Sequence, residues 1–297
     1  YRGVARTSLV NYHQMGLWEP YQCGGAPLLA NSESAQLDPT FLLTLAFGEN
    51  LGLRLSVTTM LIVSFLGAYL IAFQFMGGGR TASLIAGALF TFSGFQMLGF
   101  SVGAYAWLPV GWLAFCILFY LHSLHKLAAM IPAAIILSFT FLGGGIHMFV
   151  WGVIALTTLA ITQSVIYKSS RPLVSLALII AITISVTAIK LVPAAELQAV
   201  SSFSRPSAFI PPITWAPKIF LDRGQLSTPP WFYEPADQFF RWYDFGSYIG
   251  LVPFTLIIGA ILLAGKNKMH ISTLIAAGIL LLMAFVFPAW TWITKQN

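Results

Sequence analysis

The chain has 297 residues, of which 58% are hydrophobic and only 8% charged, against roughly 25% charged in an ordinary soluble domain. A mean hydropathy of +0.81, with no hydrophilic domain to offset it, excludes a soluble globular, disordered or fibrous protein, and two cysteines, Cys23 and Cys116, are too few for a disulfide framework. The net charge of +6 comes from singly scattered basic residues, a distribution that fits membrane topology and not nucleic-acid binding.

Taken in chain order, the first stretch is polar and aromatic. Tyr1 is not a start methionine, and residues 1–54 carry no signal-peptide pattern, so the chain reads as a fragment or a processed form. Leu17, Trp18, Tyr21 and Leu28 suit a segment lying along a membrane interface, while Pro20, Gly24, Gly25 and Pro27 set a turn-rich path. Asp38-Pro39 predicts the cap of a helix running through Phe41–Phe47. One or two short interfacial helices are therefore expected before the first span.

A spanning helix needs roughly 20 mostly apolar residues. Eight segments meet or approach that length: Leu55–Phe75, Thr81–Leu98, Tyr105–Leu121, a short Leu127–Leu142, Met148–Tyr167, Leu173–Val192, Tyr248–Ala264 and Ile271–Ile293. The fold class expected is an all-α polytopic bundle, divided into an extracytoplasmic segment 1–54, six spans over 55–192, an extracytoplasmic aromatic-rich loop 193–246 and two spans over 247–297. That loop holds Trp215, Trp231, Trp242 and many phenylalanines among prolines, and a loop of such length in a compact protein is usually functional.

The short connections set the orientation. Gly77–Arg80, His122–Lys126, Lys168–Arg171 and Lys266–His270 carry Lys or Arg, whereas Gly99–Ala104 and Gly143–His147 carry none. The positive-inside rule makes the first four cytoplasmic. All nine acids then lie outside, with Glu19, Glu33, Asp38 and Glu49 in the first outer stretch and Glu196, Asp222, Glu234, Asp237 and Asp244 in the second. Carboxylate chemistry is thereby confined to the outer face, and a carboxylate proton relay within the bilayer is excluded. His122 and His125 lack a third ligand, and Gly77-Gly78-Gly79-Arg80 lacks the Lys-Ser/Thr of a phosphate loop.

Four phrases in order resemble one family. Leu17-Trp18-Glu19-Pro20-Tyr21 with Gly24-Gly25-Ala26-Pro27-Leu28-Leu29-Ala30-Asn31 is similar to the opening motif of bacterial YfhO-like membrane proteins. Gly143-Gly144-Gly145-Ile146-His147 resembles their Gly-Gly-His element, and Leu191-Val192-Pro193-Ala194-Ala195-Glu196-Leu197 with Ser202 and Arg205 resembles a later one. Tyr248-Ile249-Gly250 resembles the family's entry into the next helix. The resemblance implies a GT-C-like fold and an integral-membrane glycosyltransferase of the bacterial inner membrane. Such an enzyme takes a sugar from a polyprenyl-phosphate carrier at the outer face and passes it to an acceptor, here unidentified. Two departures stand out: Glu19 occupies a position where the family more often has Asn, and the family's catalytic acid, which follows its first span, is expected before Tyr1.

On this reading Glu19 and Asp38 are the candidate catalytic acids. His147, Lys190, Glu196, Arg205, Trp18 and Tyr21 are candidates for contact with the substrate or lipid phosphate, and no cofactor is expected, with a divalent cation left open. Each has a plainer reading: Asp38 as a helix cap, His147 as the polar end of a helix after a tight turn, Lys190 as a lysine snorkelling from near its helix end, Glu196 and Arg205 as an ion pair, and the aromatics as an interfacial belt. The competing functions are a non-catalytic scaffold or lipid-carrier-binding protein of the same fold, and a transporter or flippase of a lipid-linked glycan.

Overall fold

The computed structural model describes residues 1–21, 24–101, 103–200, 216–223, 247–263 and 267–286. Cys23, Arg205, and the 201–215 and 224–246 parts of the aromatic loop lie outside them. The described chain is mostly helical. Helix α1 (Arg2–Tyr12) is followed by a two-residue hairpin, β1 (Trp18–Glu19) against β2 (Ala26–Pro27), in which Trp18 faces Pro27 and Glu19 faces Ala26. Gly24 and Gly25 turn the hairpin with φ of 83° and 111°, and a side chain on Gly25 would run into the Trp18 ring.

Helices α2 (Phe41–Gln74), α3 (Arg80–Thr91), α4 (Gly94–Ser101), α5 (Val110–Ser123), α6 (Met130–Leu142), α7 (Ile146–Tyr167) and α8 (Arg171–Val200) form the bundle. A short α9 (Ala216–Leu221), then α10 (Leu251–Leu263) and α11 (Lys268–Val286), follow. Five stretches are long and apolar enough to cross a membrane: Phe41–Gln74, Arg80–Ser101, Tyr105–Ser123, Ile146–Tyr167 and Arg171–Val200. Only 22% to 50% of each apolar window is buried within the protein. Side chains such as Ile62, Leu66, Leu84, Ile161, Val165 and Ile184 face outward. Water cannot solvate such a surface cheaply, and lipid can, so this is a membrane protein.

Two boundaries differ from the sequence expectation. The helix predicted over Phe41–Phe47 does not stop. It bends at Gly48, which takes φ 78° and ψ −179°, and continues directly into the first span. Pro193 does not end α8, which runs through it to Val200. Membrane helices tolerate an interior proline because neighbours re-satisfy the freed carbonyl.

Between helices, small residues permit close approach, as expected where lipid removes the hydrophobic drive for helix association. On α2 the buried positions Gly52, Ser56, Met60, Ser64 and Gly67 form one stripe. A Cβ at Gly67 would sit 2.6 Å from that of Ala114, and one at Gly111 would sit 2.9 Å from the Met60 carbonyl, so α2 and α5 pack backbone to backbone. An apolar cluster fills the half of the bundle nearest the basic connections, built on Tyr120, Leu137, Leu156, Leu176 and Ile179. Its polar atoms find partners inside the bundle, Tyr120 donating to Gln163 Oε1 at 2.8 Å and Cys116 Sγ to the Ala133 carbonyl at 3.5 Å.

The connections sort into two ends. His122 meets Gln74 at 2.8 Å, Arg171 donates to the His125 carbonyl at 2.7 Å, and His270 reaches the Met76 carbonyl at 3.0 Å. The basic connections are thus neighbours at one end. The stretch 1–40 gathers with the Gly143–Gly145 turn at the opposite end, which carries Glu19, Glu33, Asp38 and Glu49.

Candidate functional site

At the acid-bearing end three distant pieces of backbone converge: residues 31–40, the Gly143–Gly145 turn and the C-terminal half of α8. Ile179, Thr183, Thr187 and Lys190 recur at helical spacing on the buried face of α8. That spacing turns Lys190 inward, leaving it 1% exposed. Its ammonium donates to the carbonyls of Ser34 at 2.6 Å, Ser32 at 3.1 Å and Phe141 at 3.2 Å, one bond for each of its three protons. The Phe141 carbonyl belongs to the last turn of α6, where carbonyls lack helical partners and a cation is favoured. Snorkelling fails as a reading because α8 extends ten residues past Lys190 and offers no nearby end to snorkel from. The ammonium is also not presented to a lipid phosphate, since protein carbonyls surround it.

The glycine turn makes this junction sterically feasible. Gly144 adopts φ 85°, and a side chain there would collide with the backbone carbonyl of Glu33. A Cβ on Gly143 would lie 3.0 Å from Asp38 Oδ2. Residues 31–38 therefore rest directly on the turn.

Asp38 is 4% exposed. One carboxylate oxygen accepts the Thr40 N–H at 2.8 Å, and the other pairs with Arg2 at 3.4 Å. Arg2 also donates to Thr40 Oγ1 at 2.9 Å and to Ser56 Oγ at 3.0 Å, which ties α1 to the start of α2. Burial pushes the Asp38 carboxyl above the usual carboxylate range, opposed by Arg2 and the Thr40 N–H. Burial likewise lowers the Arg2 guanidinium, opposed by Asp38. This is the geometry of an interhelical tie and of a closed turn ahead of α2, whose N-cap position is Thr40 and not the expected Asp38. Glu19 is also buried, at 5% exposure, and its Oε1 accepts the Tyr21 N–H at 3.0 Å.

Beside this junction lies a cavity of about 580 Å³, whose wall includes Arg2, Glu33, Tyr105, Trp107, Gly143 and His147. Glu33 is exposed to it, whereas Asp38, Glu19 and Lys190 are not on its wall. His147 enters from the first turn of α7, directly after the glycine turn. Trp107 stacks on Phe95 with ring centroids 4.8 Å apart, which holds its indole in place. A second hollow of about 420 Å³ shares Leu53 and Tyr105 with the first and runs along α2 past Asn50, Arg54 and Thr58.

Of the residues singled out in the sequence, the structure thus brings only His147 onto the cavity wall. Trp18 and Tyr21 are 54% and 84% exposed on the hairpin, away from the cavity. Glu196 is exposed on the last turns of α8, and Arg205, with which a pair was expected, lies outside the described residues. Sequence reasoning passed over Glu33, Arg2, Tyr105 and Trp107. Glu33 has no local signal, since Ser32-Glu33-Ser34 reads as any polar loop; only the three-dimensional approach of Gly144 and Lys190 marks it. Among the described residues no three His, Cys, Asp or Glu side chains gather into a metal-binding group. Compared with known proteins, the chain matches no family model, no curated protein and no solved structure.

Proposed function

We propose that the protein is an integral-membrane glycosyltransferase of GT-C type, working at the extracytoplasmic face of a bacterial inner membrane. It would transfer a sugar from a polyprenyl-phosphate carrier to an acceptor hydroxyl. The observation that carries this reading is the cavity at the acid-bearing end, where a carboxylate, an imidazole and two aromatic rings share one wall. Concave sites with a few convergent polar groups among aromatics are the usual form of small-ligand sites. The three shorter apolar helices α6, α10 and α11 complete eight crossings on this view.

The residues divide the chemistry as follows. Glu33 accepts the proton of the acceptor hydroxyl. The acceptor oxygen attacks the anomeric carbon while the bond from that carbon to the carrier phosphate oxygen breaks, and the phosphate leaves with the electron pair. Arg2 and His147 lie on the same wall and offset the charge that develops on the leaving phosphate. Trp107 and Tyr105 supply flat faces for a sugar ring. The hollow along α2 past Arg54 gives the carrier a lateral way in from lipid. Asp38 and Glu19 serve structural roles here, because their carboxylates are buried and engaged.

Chemistry at one face is favoured over passage across the membrane by the packing below the cavity. The apolar cluster around Tyr120, Leu137, Leu156 and Ile179 stands between it and the basic end. The decisive experiment is sugar transfer from a labelled polyprenyl-phosphate sugar in proteoliposomes. Glu33→Gln should lower the rate by about 100- to 10,000-fold with unchanged protein in the membrane. Wild-type activity in that variant would remove Glu33 from the reaction.

A further inference from the structure

We propose that Lys190 is the positioning residue for Glu33, a clamp that holds its carboxylate at the cavity wall. The inference rests on the reading of Glu33 as the site's acid for its consequence on transfer, though not for the clamp itself. The two carbonyls that Lys190 binds most directly in the loop, those of Ser32 and Ser34, flank Glu33 on either side. One ammonium therefore fixes the peptide unit that enters Glu33 and the one that leaves Ser34, bracketing the residue. The donor comes from 156 and 158 positions away in the chain, so the clamp is no by-product of local turn formation.

The opposite side of the loop is closed by the Gly144 backbone, which leaves no room for a side chain against the Glu33 carbonyl. Asn31 adds a local bond, its Oδ1 accepting the Glu33 N–H at 2.8 Å. The Glu33 main chain is thus held on its N–H, at the carbonyls flanking it and against its own carbonyl, while its side chain stands free at the cavity. Preorganised presentation of this kind is what a reacting group needs, since misplacement by about 1 Å can cost about 100-fold in rate. A lysine is suited to the task because its three N–H donors span the two loop carbonyls and the α6 terminus at once.

The test reads local order at residue 33. In the full chain with Cys23→Ser and Cys116→Ser, a nitroxide is attached at Glu33→Cys, and in a second protein at Tyr12→Cys, which is exposed on α1. Electron paramagnetic resonance spectra are recorded in proteoliposomes. The clamp predicts an immobilised spectrum at position 33 in the chain with Lys190 intact, and a mobile one once Lys190→Met is added, with position 12 unchanged in both. A mobile label at position 33 while Lys190 is intact overturns the proposal, as does an unchanged immobile label in a folded Lys190→Met protein. If Lys190→Met does not reach the membrane, Lys190→Gln takes its place, and the spectrum with Lys190 intact remains decisive. In the transfer assay, Lys190→Gln should lower kcat by about 100-fold while KM for the carrier sugar moves little. Lack of transfer by the unmodified chain would count against the glycosyltransferase reading alone, because the spectra judge the clamp without it.

Discussion

At the scale of single residues, three acids at the same end of the molecule have different fates because of their partners. Glu19 turns back onto its own hairpin, Asp38 is sealed under Arg2 and Thr40, and Glu33 faces open space. The burial of Asp38 has a pH signature. Its carboxyl is raised in the folded state, so the folded protein holds that proton more tightly than the unfolded chain. Its contribution to stability is present below the unfolded pKa and is lost as pH rises through the folded one. Relative to Asp38→Asn, the unsubstituted protein should lose thermal stability as pH rises above the ordinary carboxylate range near about pH 4; a constant gap in melting temperature as the pH is raised would contradict the assignment. The turn that Asp38 closes ahead of α2 was legible from Asp38-Pro39 before an apolar run, though the cap position itself falls at Thr40. The inward turn of Lys190 was legible too, in the 4-4-3 spacing of Ile179, Thr183, Thr187 and Lys190. It was obscured because Pro193 was read as a helix end, which put Lys190 at a terminus.

At the scale of elements, glycine placement decides how closely helices approach. The Gly67–Ala114 crossing leaves no space for another carbon, so Gly67→Val should cost about 1–3 kcal/mol by overpacking. This would be read as an earlier midpoint when the protein in mixed micelles is titrated with sodium dodecyl sulfate. Gly278→Ala, where nothing lies within 4 Å, should instead be neutral or slightly stabilising, since Ala is the better helix former. Equal effects of the two substitutions would refute close packing as the reason for Gly67. Five of the eight expected spans, those that became helices long and apolar enough to cross a membrane, were readable from apolar run length alone. Their interruptions were not. The break between α3 and α4 is stabilised by Gln96, which donates to the Phe90 carbonyl at 3.0 Å, and by Gly94, whose N–H donates to the Tyr248 carbonyl at 2.8 Å. The Tyr248 partner is tertiary and the Phe90 one lies only six residues back, and neither leaves a periodic trace.

At the scale of the whole molecule, the sign of charge in short connections predicted which loops are neighbours, and the structure joins them as described. On the positive-inside rule, a maleimide that cannot cross membranes should label Tyr21→Cys in intact spheroplasts. Lys126→Cys should react only after permeabilisation. The reverse pattern would invert the molecule and place the cavity in the cytoplasm. What no reading of loop charge reveals is the cavity, because its wall is assembled from α1, the 31–40 stretch, the turn before α5 and the start of α7. Most contribute only one or two residues, the turn before α5 more, and the coincidence exists only after the bundle has formed.

The link between Lys190 and the Ser32 and Ser34 carbonyls also sets an order of events during biosynthesis. Synthesis proceeds at about 5–20 residues per second, so the 156 residues separating Ser34 from Lys190 take roughly 8–30 s to emerge. Over that interval the stretch bearing Glu33 has only its local ties, such as Asn31 and the Arg2–Asp38 pair, and waits for its lysine. Completion of the site is therefore a late step of assembly, coupled to the arrival of α8, and a nascent chain halted before Lys190 holds every cavity-lining residue with its acid still short of that tether.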